Sequence, residues 1–564
     1  MIPIRTQLLI LFMLLWVIPA TAQDPLQAPL REQLRQRLET LSEPGELVAG
    51  GQLLYAAVPL QALYLQRGWT PLWFGEETSP PAALDQVIHA IDLASMHGLK
   101  PEHYHRSRLA DLLDQLARAH PAETDHRLRV DIELLASDAL LTLAHHLAYG
   151  RIDPETNDPE WFVSRESPAL LDRLAQAARG ENLSIRDILA ALLPAHSEYR
   201  ALVERLALQR QLADNTDLMV IESGSLLRPG DLDPRVIMIR QRLIRIGDLE
   251  SGTTDARGQF SDQTDNHYDP ELEQAVGRFQ QRHGLDADGV IGPRTLAALN
   301  TSPEVRIDQL RANLERSRWL PNSLGDEYII VNIAGFSMHV ISHGEKIMQQ
   351  RVMVGAPYRR TPVFTGQMTY LVLNPSWEVP HSLAVRDQLP KIRENIGYLE
   401  DMGFALLQGW GVNEQLIDPV EVDWPALSAG NFPYRLRQAP GPKNALGQVK
   451  FMFPNRHNVY LHDTPARGLF EQEDRALSSG CIRLEQPQDL IHWLLSERAS
   501  IMTSEDIAAA VGSGRETTVR LNQPIPVHLL YWTAWIDEHG QVQYRRDIYQ
   551  RDQRLIEALD APAP

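Results

Sequence analysis

Cysteine is almost absent from this chain of 564 residues: there is one, Cys481. No intramolecular disulfide can form, so the fold must rest on hydrophobic cores whatever the redox compartment. Basic charge is also short, with 54 Lys and Arg against 73 Asp and Glu and a net charge of −19. That balance argues against a partner whose phosphates demand a basic surface, so no nucleic acid is expected. Beyond the first residues there is no apolar run long enough to cross a bilayer, so no stable membrane span is expected after the start of the chain. P-loop and dinucleotide fingerprints are missing, and no cofactor is expected. His97, His103, His105, His145 and His146 lack a ligand pattern with a carboxylate. The adjacent pair would also face different sides of a helix, so no metal site is expected.

What is present begins with a secretion signal over residues 1–22. Arg5 supplies the positive start, Leu8 to Ile18 is an apolar run of eleven, and Ala20-Thr21-Ala22 is a small-x-small cleavage site. The mature chain is therefore expected to be exported. An unpaired thiol in an oxidising compartment is exposed to oxidation, and catalysis is one reason to keep it.

Residues 23–226 read as a helical scaffold. Leu30 to Leu41, Ala82 to Met96, Leu128 to Tyr149 and Ser184 to Leu208 carry apolar residues at three- and four-residue spacing. Breaks fall at Gly68, Pro80-Pro81 and Asn157-Asp158-Pro159, and Tyr64, Trp69 and Trp73 read as inter-helix packing. Residues 227–302 differ in character. Val236, Ile237, Ile239, Leu243 and Ile246 stripe one helix, Leu272, Ala275, Val276 and Phe279 another, with a polar loop of roughly Ser251 to Asp269 between them. With His283-Gly284-Leu285, Asp288-Gly289, Ile291-Gly292, Thr295-Leu296 and Leu299-Asn300, this segment resembles the three-helix type of peptidoglycan-binding domain. Its long first loop departs from the usual pattern. Residues 303–326 read as a linker helix ending at Arg318-Trp319.

From 327 to 550 the period turns from helical to alternating. Tyr328 to Ile333, Phe336 to Ile341, Met348 to Val354, Val363 to Phe364, Tyr370 to Leu373, Val449 to Phe453 and Val459 to Leu461 read as strands. About 375–442 interrupts them as an inserted cap with a helix near Leu383 to Asn395, and 551–564 is left as a C-terminal tail. The fold class expected is multidomain α+β: a helical scaffold, a three-helix module and a β-rich catalytic domain carrying the cap.

The chemistry centres on Ser478-Ser479-Gly480-Cys481-Ile482-Arg483, shortly after His462-Asp463-Thr464-Pro465. A free thiol has a pKa of roughly 8.5 and needs a base to act as a nucleophile at neutral pH. On its own Cys481 reads equally as an inert buried thiol. A histidine, about fifteen residues, then Ser-x-Gly-Cys, an aliphatic residue and Arg resembles the L,D-transpeptidase catalytic domain (YkuD type). Val354-Gly355, Thr361-Pro362-Val363-Phe364 and Asn444-Ala445-Leu446-Gly447 fit its upstream strand and turns. Ser479 stands where many members have histidine. That variant, the His-Asp-Thr-Pro run and the ending Asp547-Ile548-Tyr549 resemble the long multidomain Gram-negative subgroup. A papain-like protease would need the reverse Cys-His order.

The resemblance implies the roles. His462 takes the proton of Cys481 to give a thiolate–imidazolium pair. Asp463 orients the imidazole through its main-chain carbonyl, with a side-chain role as the competing reading. Backbone N–H of Cys481 and of Gly480 form the oxyanion hole. Arg483 either holds a substrate carboxylate or pins the loop to Glu485. Ser478, Ser479, Tyr460 and Trp377 are further substrate-binding candidates, the last two reading also as packing. The substrate implied is the peptidoglycan tetrapeptide stem, cleaved through a Cys thioester with release of D-alanine and formation of 3→3 diaminopimelate cross-links in the periplasm. Water or a lipoprotein lysine as acceptor, or a non-catalytic wall-binding scaffold, remain alternatives. Penicillin-binding proteins and D,D-carboxypeptidases are the partners implied, and carbapenems the acylating mimics.

Overall fold

A computed structural model describes residues 27–39, 47–74, 82–118, 126–163, 184–214, 219–250, 266–497 and 502–562. The expected signal segment 1–22, the Pro80-Pro81 break and most of the polar loop at 251–269 lie outside the described residues.

The N-terminal region is helical. Gln27–Glu39, Ala57–Gln66, Ala82–Leu93 and Arg106–Arg118 surround the long helix His126–Tyr149, which is buried along most of its length. Its buried Glu133 accepts hydrogen bonds from Tyr64 Oη at 2.7 Å and from the backbone N–H of Trp73, while Trp73 Nε1 donates to Ser137 at 2.8 Å. Tyr64, Trp69 and Trp73 all belong to this core. Three of the histidines that invited a metal reading have other partners. His105 bonds Asp138 at 2.8 Å, His97 meets Tyr199 and His146 meets Tyr104. The single helix read over 184–208 is two, Ile185–Ala190 and Ser197–Asp214, because Pro194 stops the first.

A compact three-helix unit follows, Arg235–Ile246, Pro270–Arg282 and Pro293–Leu299, around Val236, Ile239, Leu243, Leu272, Val276 and Phe279. Asp269 caps the second helix by accepting from Leu272 N at 2.8 Å, and Pro270 fills the first position.

Eight strands among the described residues close a sheet on itself: β1 Glu327–Asn332, β2 Ser337–Ser342, β3 Glu345–Gly355, β4 Val363–Leu373, β5 Val449–Met452, β6 Leu461–His462, β7 Ile482–Leu484 and β8 Thr517–Leu530. Their order is β5-β6-β7-β3-β2-β1-β8-β4, and β4 pairs again with β5 (Val449 opposite Leu373) to complete the circuit. Closure leaves no free edge among these eight. Alternate residues such as Ile329, Val331, Met338, Val340, Val352, Leu371 and Phe451 fill the interior. Trp161–Phe162 pairs in parallel with Val363–Phe364, so the helical region contributes to the sheet.

Two segments are more integral than the sequence suggests. Helix Pro303–Arg318 is buried on most of its surface, not a connecting rod: Arg316 pairs with Asp552 at 2.5 Å, Arg318 with Glu315 at 2.7 Å, and Asn313 bonds Thr533. The arginines Arg311, Arg316 and Arg318 are matched by carboxylates inside, which is what burial of ions requires. Within the expected C-terminal tail, Arg551–Asp560 is a helix whose Leu555 and Leu559 join the core of the barrel.

Between β4 and β5 the chain builds a separate unit. Trp377–Glu378, Phe404–Gln408, Gln415–Leu416 and Arg435–Gln438 form a four-stranded sheet. Short helices from His381 to Glu394 pack on it through Ala384, Leu389 and Ile392, with Trp424 and Leu436 in the same core. Asn444 Nδ2 donates to Pro375 O at 3.0 Å, tying the exit of this unit to its entrance.

Candidate active site

The site forms where β6 and β7 run side by side. The parallel register sets Leu461 opposite Ile482 and His462 opposite Arg483, and Ile482 N donates to Tyr460 O at 3.1 Å. The residue before each strand partner therefore places Tyr460 beside Cys481. Strand Ala476–Ser478 leads into the turn that carries the sulfur.

That turn is fixed from within. Gly480 has φ of 113°, a conformation that favours glycine. Ser478 Oγ donates to Cys481 O at 2.5 Å and accepts from Gly480 N at 3.0 Å. Gly480 O accepts from Thr361 Oγ1 at 2.9 Å, Thr361 N donates to Tyr549 Oη, and Tyr549 donates to Gly355 O at 2.5 Å. Two expectations are thereby corrected. Ser478 is buried and its hydroxyl is consumed by the turn, so it does not face substrate. The N–H of Gly480 is committed to Ser478 and is not free for an oxyanion. No hydrogen bond takes up the N–H of Cys481 among the described residues, so this donor remains available.

His462 is buried, and its Nδ1 donates to the main-chain oxygen of Asp463 at 2.5 Å. A carbonyl can only accept, so Nδ1 carries the proton and Nε2 is left as the acceptor nitrogen. The Asp463 carboxylate is engaged elsewhere. It accepts from Gln448 N at 2.8 Å and Thr464 N at 2.6 Å, and pairs with Arg467. Gly447, at φ of 60°, passes so close that an added Cβ would lie 2.3 Å from Asp463 Oδ2.

Around the half-buried sulfur, Tyr460 offers both its main-chain N–H and its hydroxyl, and Trp377 from the inserted unit hydrogen-bonds that hydroxyl. Sγ also lies 3.7 Å from Asn458 O. Burial pushes the thiol pKa up, against the lowering influence of the Tyr460 bonds, Lys450 and Arg483. Burial likewise drives His462 down to about 3, helped by Arg483 and Lys450 and opposed by the Asp463 carbonyl. Both shifts run toward the uncharged forms, the direction in which burial moves an ionisable group.

Arg483 does not hold Glu485, which is paired with Arg351 through several contacts, including 3.0 Å to Arg351 Nε. Arg483 Nε is buried without a partner, and the guanidinium acts on both Cys481 and His462. Ser479, exposed, accepts from Arg359 Nη1 at 2.8 Å, and the same Arg359 grips Asp387 of the inserted unit. Lys450 was not foreseen: it stands opposite His462 across β5 and β6, with Nζ 4.0 Å above the Tyr460 ring. A lone lysine between Val449 and Phe451 was the available signal. Among the described residues no group of three or more His, Cys, Asp or Glu could hold a metal ion, and no helix is long and apolar enough to cross a membrane.

Three family profiles match the chain: a scaffold domain over residues 58–206, a "Putative peptidoglycan binding domain" over 233–299 and an L,D-transpeptidase catalytic domain over 326–519. The chain therefore carries an L,D-transpeptidase catalytic domain, preceded by a peptidoglycan-binding domain and a helical scaffold region. A protein of Haemophilus influenzae named "Putative L,D-transpeptidase" is 38% identical over 256 residues, 45% of this chain and 50% of its own length. The match thus spans about half of that relative. Solved structures of L,D-transpeptidases from Xylanimonas cellulosilytica and Stackebrandtia nassauensis are similar at 14% and 13% identity. Each covers 55% of this chain, and 99% and 97% of their own chains, with TM-scores of 0.17 and 0.21. At those TM-scores the likeness carries no argument.

Proposed function

We propose that the protein is a periplasmic peptidoglycan L,D-transpeptidase that forms 3→3 diaminopimelate cross-links through a thioester on Cys481. The observation that carries the reading is the imidazole of His462. Its Nδ1 is held by the Asp463 carbonyl, which leaves Nε2 as the base on the strand beside Cys481.

In the first half-reaction the sulfur attacks the carbonyl joining the L-centre of meso-diaminopimelate to the terminal D-alanine. The thiol proton passes to His462 as the C–S bond forms, and the N–H of Cys481 steadies the oxyanion. His462 then returns the proton to the departing amine, the amide C–N bond breaks, and D-alanine leaves. In the second half-reaction a diaminopimelate side-chain amine of another stem attacks the thioester, loses a proton to His462, and expels the thiol. Because the neutral pair is favoured at rest, proton transfer accompanies attack. Arg483, which has no acidic partner among the described residues, suits a carboxylate of donor or acceptor. Trp377 and Tyr460 join the inserted unit to the sulfur and are the proposed substrate-side wall. The peptidoglycan-binding domain would hold the same polymer near the site.

The test is mass spectrometry of the purified protein with a carbapenem and, separately, with tetrapeptide-bearing muropeptides. A single adduct, lost in Cys481→Ala and His462→Ala, and a 3→3 dimer as product are expected. An adduct that persists on Cys481→Ala overturns the nucleophile. Tripeptide without dimer turns the reading to an L,D-carboxypeptidase, in which water resolves the thioester.

A further inference from the structure

Four parts of the chain meet around a cavity of about 50 Å³ remote in sequence from Cys481. Arg205 comes from helix Ser197–Asp214, Arg242, Arg245 and Arg282 from the peptidoglycan-binding domain, Arg306 from helix Pro303–Arg318, and Tyr544 from the hairpin Ala534–Ile536 and Val542–Tyr544. Five guanidinium groups line this space and no carboxylate does. One of the five is neutralised nearby: Arg282 pairs with Asp248. Arg242, 7% exposed, has as partners among the described residues the carbonyl oxygens of Leu299 and Met219. Arg306 donates to Gln309 at 2.9 Å and lies 4.5 Å over the Tyr544 ring. Among the described residues Arg205, Arg242, Arg245 and Arg306 form no ion pair. Burial beside other arginines depresses Arg306 to about 10 and lowers Arg242.

A second observation is independent of charge. Tyr544 is 3% exposed, yet its hydroxyl has no hydrogen-bond partner, and neither has the buried Nε of Arg205. Buried polar groups are nearly always satisfied, and an exception marks a missing water or ion. Like charges gathered in a partly desolvated space repel, and only a counter-anion both offsets that repulsion and accepts from several N–H and O–H donors at once. The volume exceeds the roughly 10–15 Å³ needed for one water, so a small polyatomic ion is accommodated.

We infer that this junction is a binding site for a phosphate-sized oxyanion, held by Arg205, Arg242 and Arg306 with the Tyr544 hydroxyl. A phosphoryl group fits better than a monocarboxylate, since several unpaired guanidiniums call for more than one negative charge and more than two acceptor oxygens. Bound there, the anion would fasten scaffold, wall-binding domain and catalytic hairpin together.

Equilibrium dialysis of the full chain with radiolabelled inorganic phosphate, at constant ionic strength in chloride, tests the assignment. One saturable phosphate per chain is expected. Arg205→Gln and Arg306→Gln should each weaken it by about tenfold or more, as loss of one charge-assisted hydrogen bond implies. Circular dichroism confirms that each variant is folded, and Arg205, with its unpartnered Nε, is the safer of the two. Competition arms separate the sources: acetate should not displace phosphate, whereas glycerol phosphate should if the natural ligand is a phosphoryl group on a larger molecule, and should not if it is free phosphate. No saturable binding, equal displacement by acetate, or unchanged affinity in both folded variants would overturn the site. The readout is binding, not turnover, so its failure leaves the transpeptidase reading untouched.

Discussion

Arg359 grips Asp387 with both guanidinium nitrogens, Nη1 to Oδ2 and Nη2 to Oδ1 at 2.6 Å each, and the same Nη1 donates to Ser479 Oγ at 2.8 Å. One side chain therefore joins the inserted unit to the turn that carries Cys481. The pair is partly buried, 17% and 30% exposed, and bidentate, so it is stronger than an ordinary surface ion pair. Arg359→Gln and Asp387→Asn are expected to loosen the insert without unfolding the barrel. Limited proteolysis should cut faster within residues 375–442. Acylation by a stem peptide should slow by roughly tenfold, in keeping with the loss of a charged hydrogen bond. Unchanged proteolysis and acylation in both variants would show that the contact has no part in holding the insert.

Asp463 divides its labour: its carbonyl orients His462, while its carboxylate straps Gln448, Thr464 and Arg467. Asp463→Asn keeps the carbonyl and part of the strap. It should lower stability by ~1–3 kcal/mol, the cost of weakening buried charged hydrogen bonds, while turnover of the folded enzyme stays within about tenfold of normal. Thermal unfolding and single-turnover acylation check the two halves separately. Near-total loss of acylation in a folded variant would transfer the orienting role to the carboxylate.

The proposed nucleophile and base could be singled out because Ser478 to Arg483 and His462 to Pro465 are each contiguous runs, which the parallel pairing of Leu461–His462 with Ile482–Arg483 sets side by side. The strands themselves followed from alternation. What escaped was decided by tertiary partners. The charged run of helix Pro303–Arg318 reads as a linker helix, but Asp552 and Glu315 neutralise Arg316 and Arg318 inside the protein. Ser478 looked like a substrate contact, yet its partners are one turn away, in Gly480 and Cys481. Arg359 and Asp387 lie on opposite sides of a strand and a change of sheet, and no local pattern links them. Nor does any local pattern foretell that β4 and β5 pair across the whole inserted unit to close the barrel.

Depression of His462 to about 3 has a sign that can be measured. A group whose folded pKa lies below its unfolded value of about 6.5 takes up protons preferentially when unfolded between those limits. Stability from the neutral imidazole is thus complete above about pH 6.5 and is lost as pH falls toward 3. Other buried histidines behave alike, so the informative quantity is a difference. The fall in stability between pH 6.5 and 4 should be smaller in His462→Gln than in the wild type, by up to ~1.4 kcal/mol per pH unit. Equal slopes in chemical denaturation would mean that the His462 pKa is not lowered in the folded state.

Lys450 sits across the strand pair from His462 with its ammonium over the Tyr460 ring, and its charge favours the thiolate of Cys481. Burial already raises the thiol pKa, so removing this cation should raise it further. Lys450→Met is expected to move the pH midpoint of iodoacetamide alkylation upward by about one unit, or ~1.4 kcal/mol, and to slow acylation by a similar factor. Lys450→Arg retains the charge and should recover most of the shift, which a merely packing role would not predict. The apolar contact with Tyr460 survives in the methionine variant, so the melting temperature should change little. If the arginine and methionine variants alkylate identically, charge at position 450 does not tune the sulfur, and the lysine serves the strand rather than the chemistry.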